Sequence, residues 1–264
     1  MIYREVAVPA ALRGAILCAW QFEVEPHDPP VVPHRIPPDG TTNLVVTRAS
    51  DGSIHPSLVG PSLASVTIPV MRGFLYCGLR LRPDATRLIL GTIPAAHCLE
   101  ERHLTDALAP IWSDLSDFAN GSSGWSATLA TFGGLRGEDP VVTLAIDSLI
   151  MSGGSLSIAA IARDAGLSER QFRRRFQAAC GLAPKQYADV QRLRRALILS
   201  LTEPNWAGVA AESGFSDQPH LARDIKERFG TALASVGGYF GGMRHELLEP
   251  HHVRNLQDAA AEAA

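Results

Sequence analysis

The chain has 264 residues, 46% of them hydrophobic and 19% charged, and a formal net charge of −3. This composition supplies packed cores and excludes a mostly disordered chain, and the length favours two domains with separate cores. No apolar run approaches the roughly 20 residues that cross a bilayer, and the first residues lack the basic-then-apolar order of a signal peptide, so a cytoplasmic protein without a membrane partner is expected.

In chain order, the first half reads as short strands. Thr42–Thr47, Ser57–Gly60, Ser65–Val70 and Phe74–Leu81 are β-rich runs bounded by Pro, Gly and Asp. In the last, Leu75, Cys77, Leu79 and Leu81 alternate with Tyr76, Gly78, Arg80 and Arg82, which predicts an apolar face and a polar face. The polar row of Tyr76, Arg80 and Arg82 is the candidate for binding an effector. Pro83 and Asp84 open a short helix that Gly91 stops, and a second helix-compatible stretch runs from His103 to Phe118. The expected fold class is therefore α+β: a mostly-β barrel or sandwich with attached helices, then an all-α domain.

Titratable residues in this half form no catalytic or metal pattern. His27, His34 and His55 stand apart beside Pro and Asp, read as surface loop residues, and no H-x-H cluster accompanies them, so no metal and no cofactor are expected. Cys18, Cys77, Cys98 and Cys180 form no C-x-x-C pair and read as buried thiols. His103 and Asp106 lack a Ser or Cys nucleophile in a strained elbow, so the chain is not expected to be an enzyme.

The small, turn-forming residues of Asn120–Gly124 and Phe132–Pro140 predict a linker, which sets the expected division: residues 1–119 mainly β, 120–139 linker, 140–246 helical and 247–264 a peripheral tail. Charge divides the same way, with 10 Arg against 14 Asp/Glu in residues 1–139 and 13 Lys/Arg against 10 Asp/Glu in residues 140–246. From Pro140 the hydrophobic period lengthens to that of a helix.

Residues Ile158 to Phe176 have the anatomy of a helix-turn-helix. Ala162 is small where two helices meet, Gly166 permits the turn, Leu167, Phe172 and Phe176 face the core, and Ser168 with Gln171 spells a capping box. Arg170, Gln171, Arg173 and Arg174 point away from the phenylalanines, four long donors suited to phosphates and base edges. A second copy, Val209 to Ile225, repeats the pattern with Ala210, Gly214, Leu221 and Ile225, its Pro219 tolerated in the first helical turn behind Ser216 or Asp217. Between the copies, Tyr187, Val190, Leu193, Leu197 and Leu201 form the apolar stripe of a connecting helix on the order of 25 Å long. Two recognition helices held at its ends suit groove segments one turn apart, about 34 Å.

The runs Gly166–Phe176, Gly181–Tyr187 and Gly214–Gly230 resemble the DNA-binding module of the AraC/XylS family over about Pro140 to Phe240. The resemblance implies a transcription regulator that contacts double-stranded DNA through Arg170, Gln171, Arg173 and Arg174 in the first unit and Gln218, His220 and Arg223 in the second. The family's closing G-x-x-P-x-x-[YF] is kept as Gly181, Pro184 and Tyr187 but becomes Gly230, Leu233 and Val236 in the second copy. In the first half, Pro38–Val46, Val59–Pro61 and Gly78–Ala85 are similar to the N-terminal regions of one group of AraC-type regulators. That likeness implies a cupin-like domain that binds a small molecule or a second subunit to form a homodimer, and RNA polymerase as a further partner if the protein is an activator. A barrel that processes or stores a ligand, with helices serving only protein contact, is the rival reading.

Overall fold

The computed structural model describes residues 1–91, 99–100, 108–121, 124–203 and 205–247. Cys98, His103, Asp106 and all of the expected tail except Leu247 lie outside them. The strands are β1 (Ile2–Val6), β2 (Ile16–Glu23), β3 (Val31–Ile36), β4 (Asn43–Arg48), β5 (Ile54–Val59), β6 (Val66–Met71), β7 (Leu75–Leu81), β8 (Leu99–Glu100) and, far along the chain, β9 (Arg244–Glu246). The helices are α1 (Thr86–Leu90), α2 (Ala109–Ala119), α3 (Ser126–Phe132), α4 (Pro140–Met151), α5 (Ile158–Asp164), α6 (Glu169–Cys180), α7 (Pro184–Leu199), α8 (Trp206–Glu212), α9 (Gln218–Phe229) and α10 (Leu233–Gly241). The chain is thus sheet-rich and then helical, as its periodicity requires.

Seven strands form one sheet in the order β8-β5-β4-β7-β2-β1-β9, and β3 pairs with β6 in a separate ribbon. Among the described residues the sheet is open and not a closed barrel. It is antiparallel except where β9 runs parallel beside β1, Ile2 opposite Arg244.

The alternation in β7 sorts the core. Cys77, Leu79 and Leu81, with Leu44 and Val46 of β4, are buried against Ile111 and Leu115 of α2 and Phe132 of α3. The opposite face, carrying Trp20, Phe22 and Tyr76, packs toward α7 and α10. Gly78 has no side chain because the Trp20 ring lies over it: a Cβ there would meet that ring at 2.7 Å. The stretch expected to be a linker contains α3, and Trp125, Thr128 and Phe132 of that stretch are buried in the N-terminal core, with the Thr128 amide donating to Asp114 at 2.6 Å. The spacing of these residues is helical, and their burial outweighs the glycines on either side.

The helical half follows its local signals. Asp139 caps α4, accepting from the Val141 and Val142 amides, and α4 ends at Gly153 and Gly154. The second of these lies so near α7 that a Cβ would sit 1.9 Å from the Ala188 carbonyl. In the first helix-turn-helix, α5–α6, the Ser168 hydroxyl accepts from the Gln171 backbone amide at 3.3 Å and the Gln171 side-chain Oε1 accepts from the Ser168 backbone amide at 3.0 Å. In the second, α8–α9, Asp217 is the cap, accepting from the His220 amide at 2.7 Å, and Pro219 falls in the first turn. Gly230 ends α9, and Leu233, Val236 and Phe240 of α10 are buried in the second core although the family's proline and aromatic positions are changed.

Candidate DNA interface and inter-domain pocket

On α6, Phe172 and Phe176 are buried, while Arg170, Gln171, Arg173 and Arg174 are exposed on the far side. They are not equivalent. Arg173 pairs with Glu169 one turn earlier, Gln171 has its carbonyl oxygen engaged in the cap, and Arg170 and Arg174 make no ion pair among the described residues. The third consecutive arginine, Arg175, is withdrawn: it holds Asp139 through two hydrogen bonds of 2.7 Å. That contact holds the Asp139 carboxyl below its ordinary range.

On α9, Gln218 and Arg223 are exposed and His220 is half-buried. The His220 ring sits edge-on to Phe215 with centroids 5.2 Å apart, and its Nδ1 lies 3.1 Å from the Ser216 hydroxyl, so its orientation is fixed. At the other end of α9, Arg228 donates to the Leu63 carbonyl at 2.8 Å, and the Ser65 amide donates back to the Arg228 carbonyl at 2.8 Å.

Between the sheet, the β3–β6 ribbon and helices α7 and α10 lies a pocket of about 480 Å³. Trp20, Phe22, Val45, Val70, Leu197 and Phe240 give it apolar walls. Tyr76 and Arg80 of the predicted polar row line it. Arg82 does not, and its expected role is corrected: it follows β7, where the alternation has ended, and its side chain is only 1% exposed. There it bonds Asp84 at 3.2 Å and Asp147 of α4 at 2.6 Å, while Thr143 donates to Asp84 at 2.7 Å, so Arg82 ties the sheet to the first helix-turn-helix unit.

At the polar end of the pocket Glu5, 3% exposed, accepts from Arg80 at 2.8 Å and from Arg194 of α7. Burial works to raise the Glu5 pKa, but Arg194 and Arg80 outweigh it and hold the carboxyl well below its usual range. Asp39 accepts from Arg80 at 3.3 Å, and Arg80 also donates to the Tyr3 hydroxyl at 3.0 Å. Arg194 was missed in the sequence, although it interrupts the apolar row of Val190, Leu197 and Leu201 at helical spacing. His34 is likewise not a loop residue. It is buried in β3, stacked on Phe22 at 4.0 Å, with Nδ1 2.7 Å from the hydroxyl of Tyr239 on α10. That hydroxyl accepts from the Arg35 amide, which leaves its own proton available to His34 Nδ1. Burial lowers the His34 pKa to about 4, so the imidazole is neutral.

The other histidines lie apart: His27 near the Glu25 carboxylate, and His55 beside Ser53. The Met1 ammonium is the cation between Glu25 and Asp28, at 3.0 and 2.6 Å. Burial pushes the Cys18 and Cys77 thiols up to about 12, as expected of core cysteines and not of a thiolate sensor.

Residues 161–236 match a family model described as a helix-turn-helix domain, and residues 4–104 match one described as a domain of unknown function (DUF6597). No protein of curated function matches in sequence. Among solved structures, the chain is similar to a transcriptional regulator with an AraC-type DNA-binding domain from Chromobacterium violaceum, at 26% identity over 39% of this chain and 94% of that one, TM-score 0.36. It is similar to the DNA-binding domain of the global transcriptional factor AdpA in complex with a target DNA, at 26% identity over 39% and 94%, TM-score 0.35. Over 91% of its length it is similar to all of ToxT from Vibrio cholerae O395 bound to (E)-4-(8-methylnaphthalen-1-yl)but-3-enoic acid, at 11% identity and TM-score 0.47. The chain thus carries a helix-turn-helix domain over residues 161–236 and, before it, a separate, sheet-rich domain of unknown function, and the doubled, capped motif has the arrangement that the resemblance to AraC-type regulators implies.

Proposed function

We propose that the chain is a sequence-specific DNA-binding regulator in which α6 and α9 read adjacent stretches of one duplex and the pocket between the halves takes a small-molecule effector. The observation that carries the DNA reading is the pair of capped recognition helices, each burying an apolar stripe and exposing long hydrogen-bond donors. Arg170, Gln171, Arg173 and Arg174 are assigned to DNA in the first unit, and Gln218, His220 and Arg223 in the second. The concave, mainly apolar space with Tyr76 and Arg80 on its wall favours an effector over control by dimerisation alone. The functional division runs close to Asp139, with α3 on the N-terminal side. Selection of bound DNA from a random pool, followed by titration of the enriched site, tests the reading: it predicts two half-elements about 10 base pairs apart. Enrichment of a single half-element, or none, rejects it.

A further inference from the structure

We propose that the inter-domain pocket is built for an uncharged, mainly apolar molecule, and that Arg80 on its wall is a structural tie and not a receptor for an anionic group. The inference rests on the reading of this pocket as an effector site and names the class of effector.

The charges at the pocket balance. Its cations are Arg80 and Arg194, and against them stand Asp39 on the wall and Glu5 directly behind it. Arg80 has little left to offer a ligand. Of the five N–H groups of a guanidinium, four are engaged, by Asp39 at 3.3 Å, Glu5 at 2.8 Å, Cys18 at 3.5 Å and Tyr3 at 3.0 Å. Glu5 in turn joins Arg80 to Arg194. The two histidines of the wall, His34 and His245, have pKa values lowered by burial and add no charge near neutral pH. A carboxylate, sulfonate or phosphate entering here would be a third anion beside two carboxylates, and would have to displace Glu5 from a buried pair or arrive protonated.

Neutral hydrogen-bonding groups remain open. The hydroxyls of Thr47 and Ser57 line the pocket, the Tyr76 hydroxyl accepts from the Met71 amide at 3.0 Å and keeps its own proton, and Nε2 of His34 is uncommitted among the described residues. This set fits a hydroxyl, carbonyl, ester or amide carried on an apolar body. The aromatic and aliphatic walls supply the affinity and the few polar groups the orientation.

The test uses the full chain and two fluorescent probes of one skeleton: N-phenyl-1-naphthylamine, which is neutral, and 8-anilinonaphthalene-1-sulfonate, which adds a sulfonate. The neutral probe is expected to saturate at one per chain and to bind at least about tenfold more tightly than the sulfonate. Glu5→Gln removes the anion shared by the arginines and Asp39→Asn the one on the wall, so each narrows that ratio by strengthening sulfonate binding. Should the buried Glu5→Gln variant not fold, Asp39→Asn gives the same reading. Thr47→Trp fills the space and abolishes binding of the neutral probe. Tighter binding of the sulfonate by the unaltered chain, or a ratio unmoved in the folded carboxamide variants, overturns the inference while leaving the pocket reading intact. If neither probe binds, or if Thr47→Trp leaves binding unchanged, the pocket reading fails and the inference with it.

Discussion

The first helix-turn-helix unit closes its core within the helical half, where Ile158, Ala162, Phe172 and Phe176 pack with Val142 and Leu149 of α4 and Tyr187 of α7. The second shares its core with the sheet: Val209, Leu221, Ile225 and Phe240 form one cluster with Phe22, Val24 and Val70. Ties between the first unit and the N-terminal half are polar and directional, Arg82 to Asp147 and Arg87 to the Ala178 carbonyl. For the second, a shared apolar core beside the pocket joins hydrogen bonds of Arg228 with Leu63 and Ser65 and of Tyr239 with His34 and Arg35. Two copies of one motif are therefore anchored differently, and only the second shares an apolar core with the N-terminal strands. Apolar packing has no directional demand and admits small shifts that an ion pair resists.

The sharpest way to break this contrast is to excavate each core. Phe172→Ala is expected to cost about 3–5 kcal/mol and Ile225→Ala about 2–5 kcal/mol. Hydrogen exchange should speed up in α4 to α7 for the first variant, and in α8 to α10 together with β2 and β6 for the second. Loss of protection confined to α8–α10 in Ile225→Ala would show that the shared core does not couple the halves.

Arg82→Met removes the polar tie. It leaves the buried Asp84 and the partly buried Asp147 without a cation, and burial already raises the Asp147 pKa with the arginine present. A loss of about 3–5 kcal/mol is expected, read as a lower denaturant midpoint, and a loss within that of an ordinary surface substitution would refute the tie.

A smaller effect separates the apolar side by pH. Unfolded His34 takes a proton near its ordinary 6.5, whereas the folded ring resists until about 4, so its contribution is complete above 6.5 and is lost as pH falls toward 4. The loss is on the order of 3 kcal/mol at most. His34→Asn should flatten stability across that window, and an unchanged slope would mean another group carries it. The smallest expected effects lie at the DNA. Arg174→Ala should lower the dependence of log K on log salt by about 0.9 if it meets a phosphate, and Gln218→Ala should relax preference in one half-element with the slope unchanged. Equal slopes in both variants contradict a phosphate contact by Arg174 and leave the Gln218 reading standing.

What was legible in the sequence was what neighbours in sequence decide. The caps at Ser168 and Asp217, the αL glycines Gly166 and Gly214 and the alternation of β7 are local, and so β4 to β7 and both helix-turn-helix units could be read directly, whereas β1, β2 and β3 were not. The pocket could not, because Tyr3, His34, Arg80 and Arg194 meet only after the halves dock. Arg82 misled by continuing the alternation one residue beyond the strand. Likewise α3 hid among glycines although Trp125, Thr128 and Phe132 keep helical spacing, and β9 is three residues long after a run of helices, too short for any periodicity to mark.

That last strand has a consequence for how the protein is made. β1 is synthesised more than 200 residues before the segment that covers its outer edge, residues 244–246 of the final described strand. Until nearly the whole described chain has been synthesised, the N-terminal sheet has to wait with a row of unpaired backbone groups exposed, an invitation to pair with other nascent chains. Expression at lower temperature, or with a chaperone that shields strand edges, should therefore raise the soluble yield more than any change to the recognition helices.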